Sequence, residues 1–444
     1  MQKEGRWKKI GIIIFCLISV FFAFLYIQKE KAKDQLTQIL QRQDIELSDF
    51  GFSFLPQPTF TAKQVRYPLD KQKSQSVFFE KIELRLSGLS ALFGQLKFKH
   101  LYFDNGSVWL TQSEVPDFHA IHLRLKPTAL YTADLQALSK SVKNNDWSRW
   151  DAKELTDKGH SSVVFSAQNA QNDQITLEGD INLTLTGVLL NSVQFAIELA
   201  QPTYGNNKNF KFAIGNGYIG KSFSRNIDYE ISSDMLRIND EDLGRTRAEI
   251  HMPNESRDGY FVVITSAVCG GCTTLFEFEQ NNKQNRKMIF RTEYFPLEKL
   301  LGVFKLPVLM TGESNVYAEV QFEQKLPTQG KFELNVSSGT IKGLNLLSLA
   351  AQYLPLRFNE GGLEDQSLET KFEQFSSRFS WQEQGIKITD LYLRTPDLLA
   401  RGQGEVDLQN MQCDVALNVG LNDEKYKKYD LLTLPIRFFD SCYS

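Results

Sequence analysis

Cys269-Gly-Gly-Cys272 is the pair of residues in this chain whose type and spacing could carry covalent chemistry. A C-x-x-C pair can exchange electrons with another thiol, but that role needs a helix N-terminus to depress the attacking thiol's pKa. Here VVITSAV precedes the pair and TTLFEF follows it, both with strand character. The context predicts a disulfide between Cys269 and Cys272 that clamps a hairpin turn. Metal binding would need a second pair of ligands at suitable spacing, and none is present. His119 and His122, in FHAIHLRL, fall on a predicted strand, where residues three apart point to opposite faces. His100, His160 and His251 are scattered, so no cluster of His, Cys and carboxylate emerges.

Nucleophile and phosphate motifs are also missing: there is no G-x-S-x-G, no G-x-x-x-x-G-K and no G-x-G-x-x-G opening a helix. Gly402-x-Gly404 reads as a bulge or tight turn in a hairpin. No catalytic residue, metal or cofactor is expected, and the chain is not read as an enzyme. Net charge is −3, from 50 basic and 53 acidic residues, which gives no electrostatic reason to expect nucleic acid as a partner.

The elements that must position these residues are mostly strands. Ile82, Leu84 and Leu86 alternate with Glu83 and Arg85, and the rhythm recurs at Ile181 to Leu185, Val193 to Leu199, Ile227 to Ile231, Phe332 to Val336 and Cys413 to Val419. The chain holds 33 Phe and 15 Tyr, residues that favour strands and supply broad apolar faces. Turn signals at Asp104-Asn105-Gly106, Gly205-Asn206-Asn207, Gly215-Asn216-Gly217 and Gly361-Gly362 predict hairpin connections. Predicted helices are few and short: Ala133 to Val142, Asp146 to Asp157, Pro296 to Val303, Asn345 to Tyr353 and a turn at Tyr426 to Leu432. Trp147 and Trp150 are expected to pack the second of these onto the sheet. So few helices cannot cover the apolar faces of about twenty strands, which leaves a second sheet or a non-protein occupant.

Ile10 to Ile27, IGIIIFCLISVFFAFLYI, has no charge and no Pro. At 1.5 Å per residue it would reach roughly 27 Å, close to the hydrocarbon core of a bilayer. It is long for a signal peptide and lacks a small-residue cleavage site, so it predicts an uncleaved membrane anchor. The basic N-terminus, with Lys3, Arg6, Lys8 and Lys9, favours N-in and sends residues 28–444 across the membrane. Leu36, Ile39 and Leu40 continue the helical spacing outward to about Gln43. Cys16 lies in the span, and Cys269, Cys272, Cys413 and Cys442 form an even set compatible with disulfides in an oxidising compartment.

Two segments carry a likeness. Phe52 to Leu110 places Ser53, Pro56, Phe60, Val65, Ile82, Leu84, Leu86, Leu89, Leu92, Gly94, Leu96, Leu101 and Val108 in an order that resembles the N-terminal module of the AsmA family. Gly339 to Leu346, Phe372 to Phe375 and Gly402, Gly404, Val406, Asp407 and Leu408 are similar to its C-terminal module. The resemblance implies a mainly β fold: an N-terminal transmembrane helix, then an elongated, curved antiparallel β-sheet groove with a few short helices. It divides the chain into a cytoplasmic end (1–9), the span (10–27), an N-terminal module (28–110), a central β-rich region with a helical insertion near 133–158 (111–330) and a C-terminal module (331–444) whose last strand pair would run on beyond Ser444. By that likeness the protein sits in a bacterial inner membrane with its bulk in the periplasm. It would bind or conduct phospholipid toward the outer membrane, with periplasmic or outer-membrane proteins as partners. Ile82, Leu84, Leu86, Phe195 and Ile197 are the expected lining of the groove. The competing reading is a closed periplasmic scaffold that modulates outer-membrane protein assembly; a weaker one is a thiol-disulfide protein using Cys269 and Cys272.

Overall fold

Alternating sequence becomes antiparallel ladder throughout the computed structural model. It describes residues 26–27, 29–34, 37–38, 45–68, 75–92, 96–110, 114–134, 137, 140–141, 148–201, 208–222, 224, 227–253, 259–280, 285–323, 326–351, 368–410, 412–422 and 433–441. Contacts divide the chain into two units, Met1–Tyr218 and Ile219–Ser444. The break falls inside a strand, whereas the boundary expected at residue 330 falls inside another strand, Leu326–Lys342.

The first unit holds β1 (Asp49–Ser53), β2 (Thr59–Pro68), β3 (Ser76–Leu86), β4 (Phe98–Trp109), β5 (Phe118–Pro127), β6 (His160–Asn169), β7 (Gln174–Leu183), β8 (Gly187–Glu198) and most of β9 (Asn209–Lys221). From β1 to β8 each strand pairs antiparallel with the next in sequence. The second unit holds β10 (Tyr229–Ile238), β11 (Glu241–His251), β12 (Tyr260–Ser266), β13 (Cys272–Gln280), β14 (Asn285–Pro296), β15 (Met310–Glu323), β16 (Leu326–Lys342), β17 (Glu369–Gln382), β18 (Gly385–Arg394), β19 (Leu398–Asp407), β20 (Gln412–Leu421) and β21 (Thr433–Ser441). These too pair only with their sequence neighbours within the unit, so each unit is an open antiparallel sheet among the described residues.

Helices are short: α1 (Gly88–Leu92), α2 (Ala152–Gly159), α3 (Leu297–Val303) and α4 (Leu346–Ala351). Asp151 caps α2, accepting the Glu154 N–H at 2.5 Å. Trp150 is buried and donates to Ser141 Oγ at 3.0 Å, under Lys158, whose Nζ is 5.1 Å from the ring centroid. Its role is local packing; Trp147 lies outside the described residues.

No described helix is long and apolar enough to cross a membrane. Of the predicted span only Tyr26 and Ile27 are described; both are helical and mostly exposed, at 63% and 52%. Residues 29–34, 37 and 38 are helical too, and Ala32 packs into the first unit's core. Residues 10–25, Leu36, Ile39, Leu40, Gly205 to Asn207, Gly361 and Gly362, Tyr426 to Leu432 and Cys442 lie outside the described residues.

Two motifs expected at turns lie inside strands. Asn105 is in the middle of β4 with φ 48°, and the pairing slips between Phe103 and Gly106. Asn216 sits in β9 at φ 47°. Asn tolerates the left-handed conformation, so the signal that marks a hairpin turn also marks a bulge. Gly402 and Gly404 lie within β19, opposite a register shift in β18 between Ile388 and Leu391. A Cβ at Gly402 would run into the Ala416 carbonyl on the neighbouring strand.

Candidate functional site

Paired residues in an antiparallel ladder share a face, so the registers trace rows across each sheet. In the first unit one row runs Ala62, Ile82, Phe103, Leu123, Phe165, Leu177, Phe195, from β2 to β8 without a polar member. The Phe195 ring then meets Phe212 of β9, with centroids 5.7 Å apart. Ile175 and Ile197 pair in the next row on the same face. From Phe103 to Phe212 these side chains are only partly buried.

One end of this face is covered. Phe60, Leu86, Phe98 and Leu101 are buried together with Ala91 of α1 and with Ala32. Ile82 and Leu84 are partly buried against that cluster. Leu86, expected in the lining, is 0% exposed and belongs to the closed core. The reason is α1, which begins two residues after β3 ends and folds back over its last side chain. Phe195 and Ile197 sit on the uncovered part of the face. The side chains of Leu89 and Leu92 lie outside the described residues.

The second unit repeats the arrangement. A row runs Val262, Phe276, Phe290, Ala318, Phe332, Phe379, Ile388, Gly404, Val415, Phe438, one residue from each strand from β12 to β21. Phe276 and Phe290 have centroids 5.0 Å apart, and Phe332 stacks on Phe379 at 4.9 Å. A parallel row, Val336, Phe375, Leu393, Ala400, Val419, Leu434, is capped by Leu297, Leu300 and Leu301 of α3 and Leu346, Leu347 and Ala350 of α4. Burying such a side chain stabilises by about 1.5–3 kcal/mol, which fixes the helices at this end. Val415, in the phenylalanine row, packs against that cluster, whereas Phe276, Phe290, Phe332 and Phe379 are partly buried outside it. Sequence reading named Phe195 but passed over Phe165, Phe276, Phe290 and Phe379, although VVF and FEF alternation carried the signal.

The opposite face is largely polar, with apolar residues such as Val164 in the first unit and Val263, Leu275 and Ile289 in the second. In the first unit Glu83 accepts from Arg85 Nε at 2.7 Å and Lys81 Nζ at 3.2 Å, and Ser162 donates to Asp180 at 2.5 Å. The Arg85 hydrogen bond, more than Lys81, holds the Glu83 carboxyl below its ordinary 4.5. In the second unit Arg437 donates to both oxygens of Asp414, at 2.8 and 2.6 Å.

Cys269 and Cys272 are joined as a disulfide across the β12–β13 hairpin, with Cα atoms 5.4 Å apart. Ser266 pairs with Cys272, and Gly270 and Gly271 turn the chain at φ 74° and 122°, a conformation that suits glycine. Cys272 is buried against Leu243 and Phe295. Cys413 is also disulfide-bonded, to a partner outside the described residues. His119 and His122 do not point to opposite faces. Ala120, at φ 48°, bulges the strand, so the two pair with Gln168 and Ser166, two residues apart on one face of β6. His122 Nδ1 lies 3.4 Å from Asp104. Among the described residues no group of three or more His, Cys, Asp or Glu could hold a metal ion.

An uncharacterized protein of Haemophilus influenzae is 25% identical over 437 residues, spanning 98% of this chain and 94% of its own length. No family model matches the chain, and no solved structure does.

Proposed function

We propose that this protein is an inner-membrane-anchored, periplasmic protein of the AsmA kind. It holds phospholipid acyl chains along the apolar faces of its sheets and passes them toward the outer membrane, in support of envelope integrity. The reading rests on one observation: apolar rows continue, partly exposed, across strands beyond the clusters that the helices cover. A closed scaffold would fill both ends of such a face with its own side chains. A dozen methylenes at about 0.8 kcal/mol each supply on the order of 10 kcal/mol, enough to hold a lipid tail out of water. The disulfides at Cys269–Cys272 and Cys413 fit an oxidising compartment, and the Ile10 to Ile27 span would supply the anchor.

The test is photo-crosslinking of the full chain in cells, with a photoreactive residue placed at Phe195 or Phe332 on the apolar faces, or at their outward neighbours Gln194 and Lys331. Phospholipid adducts are expected at the two phenylalanine positions and not at the neighbours. Adducts that are missing at all four, or equal at all four, would rule the reading out and favour a scaffold acting through protein contacts.

A further inference from the structure

The polar face of the first unit carries a feature that the lipid-tail reading does not use. Where β3, β4 and β5 run side by side, Tyr102 pairs with Glu83 on one side and Arg124 on the other. The Arg85 guanidinium lies 4.8 Å from the Tyr102 ring centroid and that of Arg124 lies 5.9 Å from it. His100 stacks on the same ring, 5.8 Å away and tilted by 21°. Lys99 and Lys126 flank His100, at a bulge in β4 and near the end of β5.

The charges in this group do not balance locally. Glu83 is already engaged by Arg85 and Lys81, so it does not neutralise the rest. Lys99, Arg124 and Lys126 are exposed, and none of them pairs with a carboxylate among the described residues. His100 lies among these groups, and its pKa is held below the ordinary 6.5 by burial first and then by Lys126, Arg85 and Lys99. The Tyr102 ring, meanwhile, steadies the Arg124 guanidinium and, together with Glu83, that of Arg85.

We propose that Arg85, Lys99, Arg124 and Lys126, gathered around Tyr102 and His100, form a binding site for one phosphate-bearing anion. Three adjacent strands span only about 10 Å, which suits a single phosphate group and is too short to track a nucleic-acid backbone. Guanidinium groups match phosphate geometry, and the lysines add point charge. Free phosphate and a lipid headgroup share this chemistry. The site lies at the end of the strands where α1 and Ala32 pack on the other face. It stands whether or not the apolar rows hold lipid tails.

The full chain in neutral-detergent micelles would be titrated with inorganic phosphate, short-chain phosphatidylglycerol and short-chain phosphatidylcholine, read by calorimetry and by the His100 ring-proton titration. Bound phosphate anion is expected to raise the His100 pKa. Arg124→Gln with Lys126→Gln should weaken binding roughly tenfold or more, as expected for losing charge-assisted hydrogen bonds. Lys371→Gln with Lys387→Gln, in the second unit, should leave it unchanged. A response to both anions identifies phosphate itself as the determinant, and a response to phosphatidylglycerol alone assigns the site to a lipid headgroup; either supports the proposal. It is overturned if neither anion moves His100, if the double substitution at Arg124 and Lys126 leaves binding intact, or if phosphatidylcholine binds as well as phosphatidylglycerol without shifting His100.

Discussion

Glu83 serves two cations at once, and its pH behaviour follows from that. Its folded pKa lies below the ordinary 4.5, chiefly through the Arg85 hydrogen bond, so the stability it contributes is present above about pH 4.5 and is lost as pH falls through the folded value. Glu83→Gln should flatten that acid limb and cost at most about 1 kcal/mol at neutral pH, because both cations are partly exposed. Urea unfolding across a pH series checks both parts. The cysteine pair gives a second prediction at this scale. Replacing Cys269 and Cys272 by Ala opens a very small ring, so stability should drop by about 2 kcal/mol with lipid adducts at Phe195 and Phe332 retained. Loss of adducts in a variant that still folds would revive the thiol-exchange reading. The two glycines between the cysteines made this turn legible in the sequence. The placing of His119 and His122 was not legible, because the left-handed residue between them is Ala120, a type that carries no bulge signal.

Strands could be read from alternation, but which part of each apolar face is covered could not. Leu86 and Phe195 look alike in sequence, each an apolar residue in an alternating run. One is sealed under α1 and the other is half-buried. Leu86→Ala should therefore cost about 3 kcal/mol, as emptying a closed core does, whereas Ile197→Ala should cost roughly 1 kcal/mol. Chemical denaturation of the two variants separates them; equal costs would mean that the outer face is as closed as the inner end. The covering is set by long-range packing: Leu297 and Leu346, distant in sequence from Val419 and Leu421, seal the same cluster. Short-range periodicity has no access to that pairing. Asn105 shows the converse limit, since one residue type serves both turns and bulges.

At the scale of the whole molecule, the resemblance of two segments to the family's terminal modules suggests borders at residues 110 and 330; contacts part the chain once, within β9. A meander whose strands touch only their sequence neighbours offers few natural borders, and strand pattern alone cannot show where contact density thins. The same property predicts how damage spreads. Thr176→Pro, the third residue of β7, removes a ladder hydrogen bond and should cost about 3 kcal/mol or more. Hydrogen exchange should show lost protection in β6, β7 and β8, with β2 and β3 still protected; uniform loss across the unit would refute the local picture. Neighbour-only pairing also bears on how the chain is made. A polypeptide that emerges in sequence order can close each hairpin as soon as its second strand is out, since among the described residues no strand within either ladder awaits a partner from far downstream. Folding can then keep pace with emergence, and the sticky free edges of a growing ladder are at any moment only its first strand and its newest.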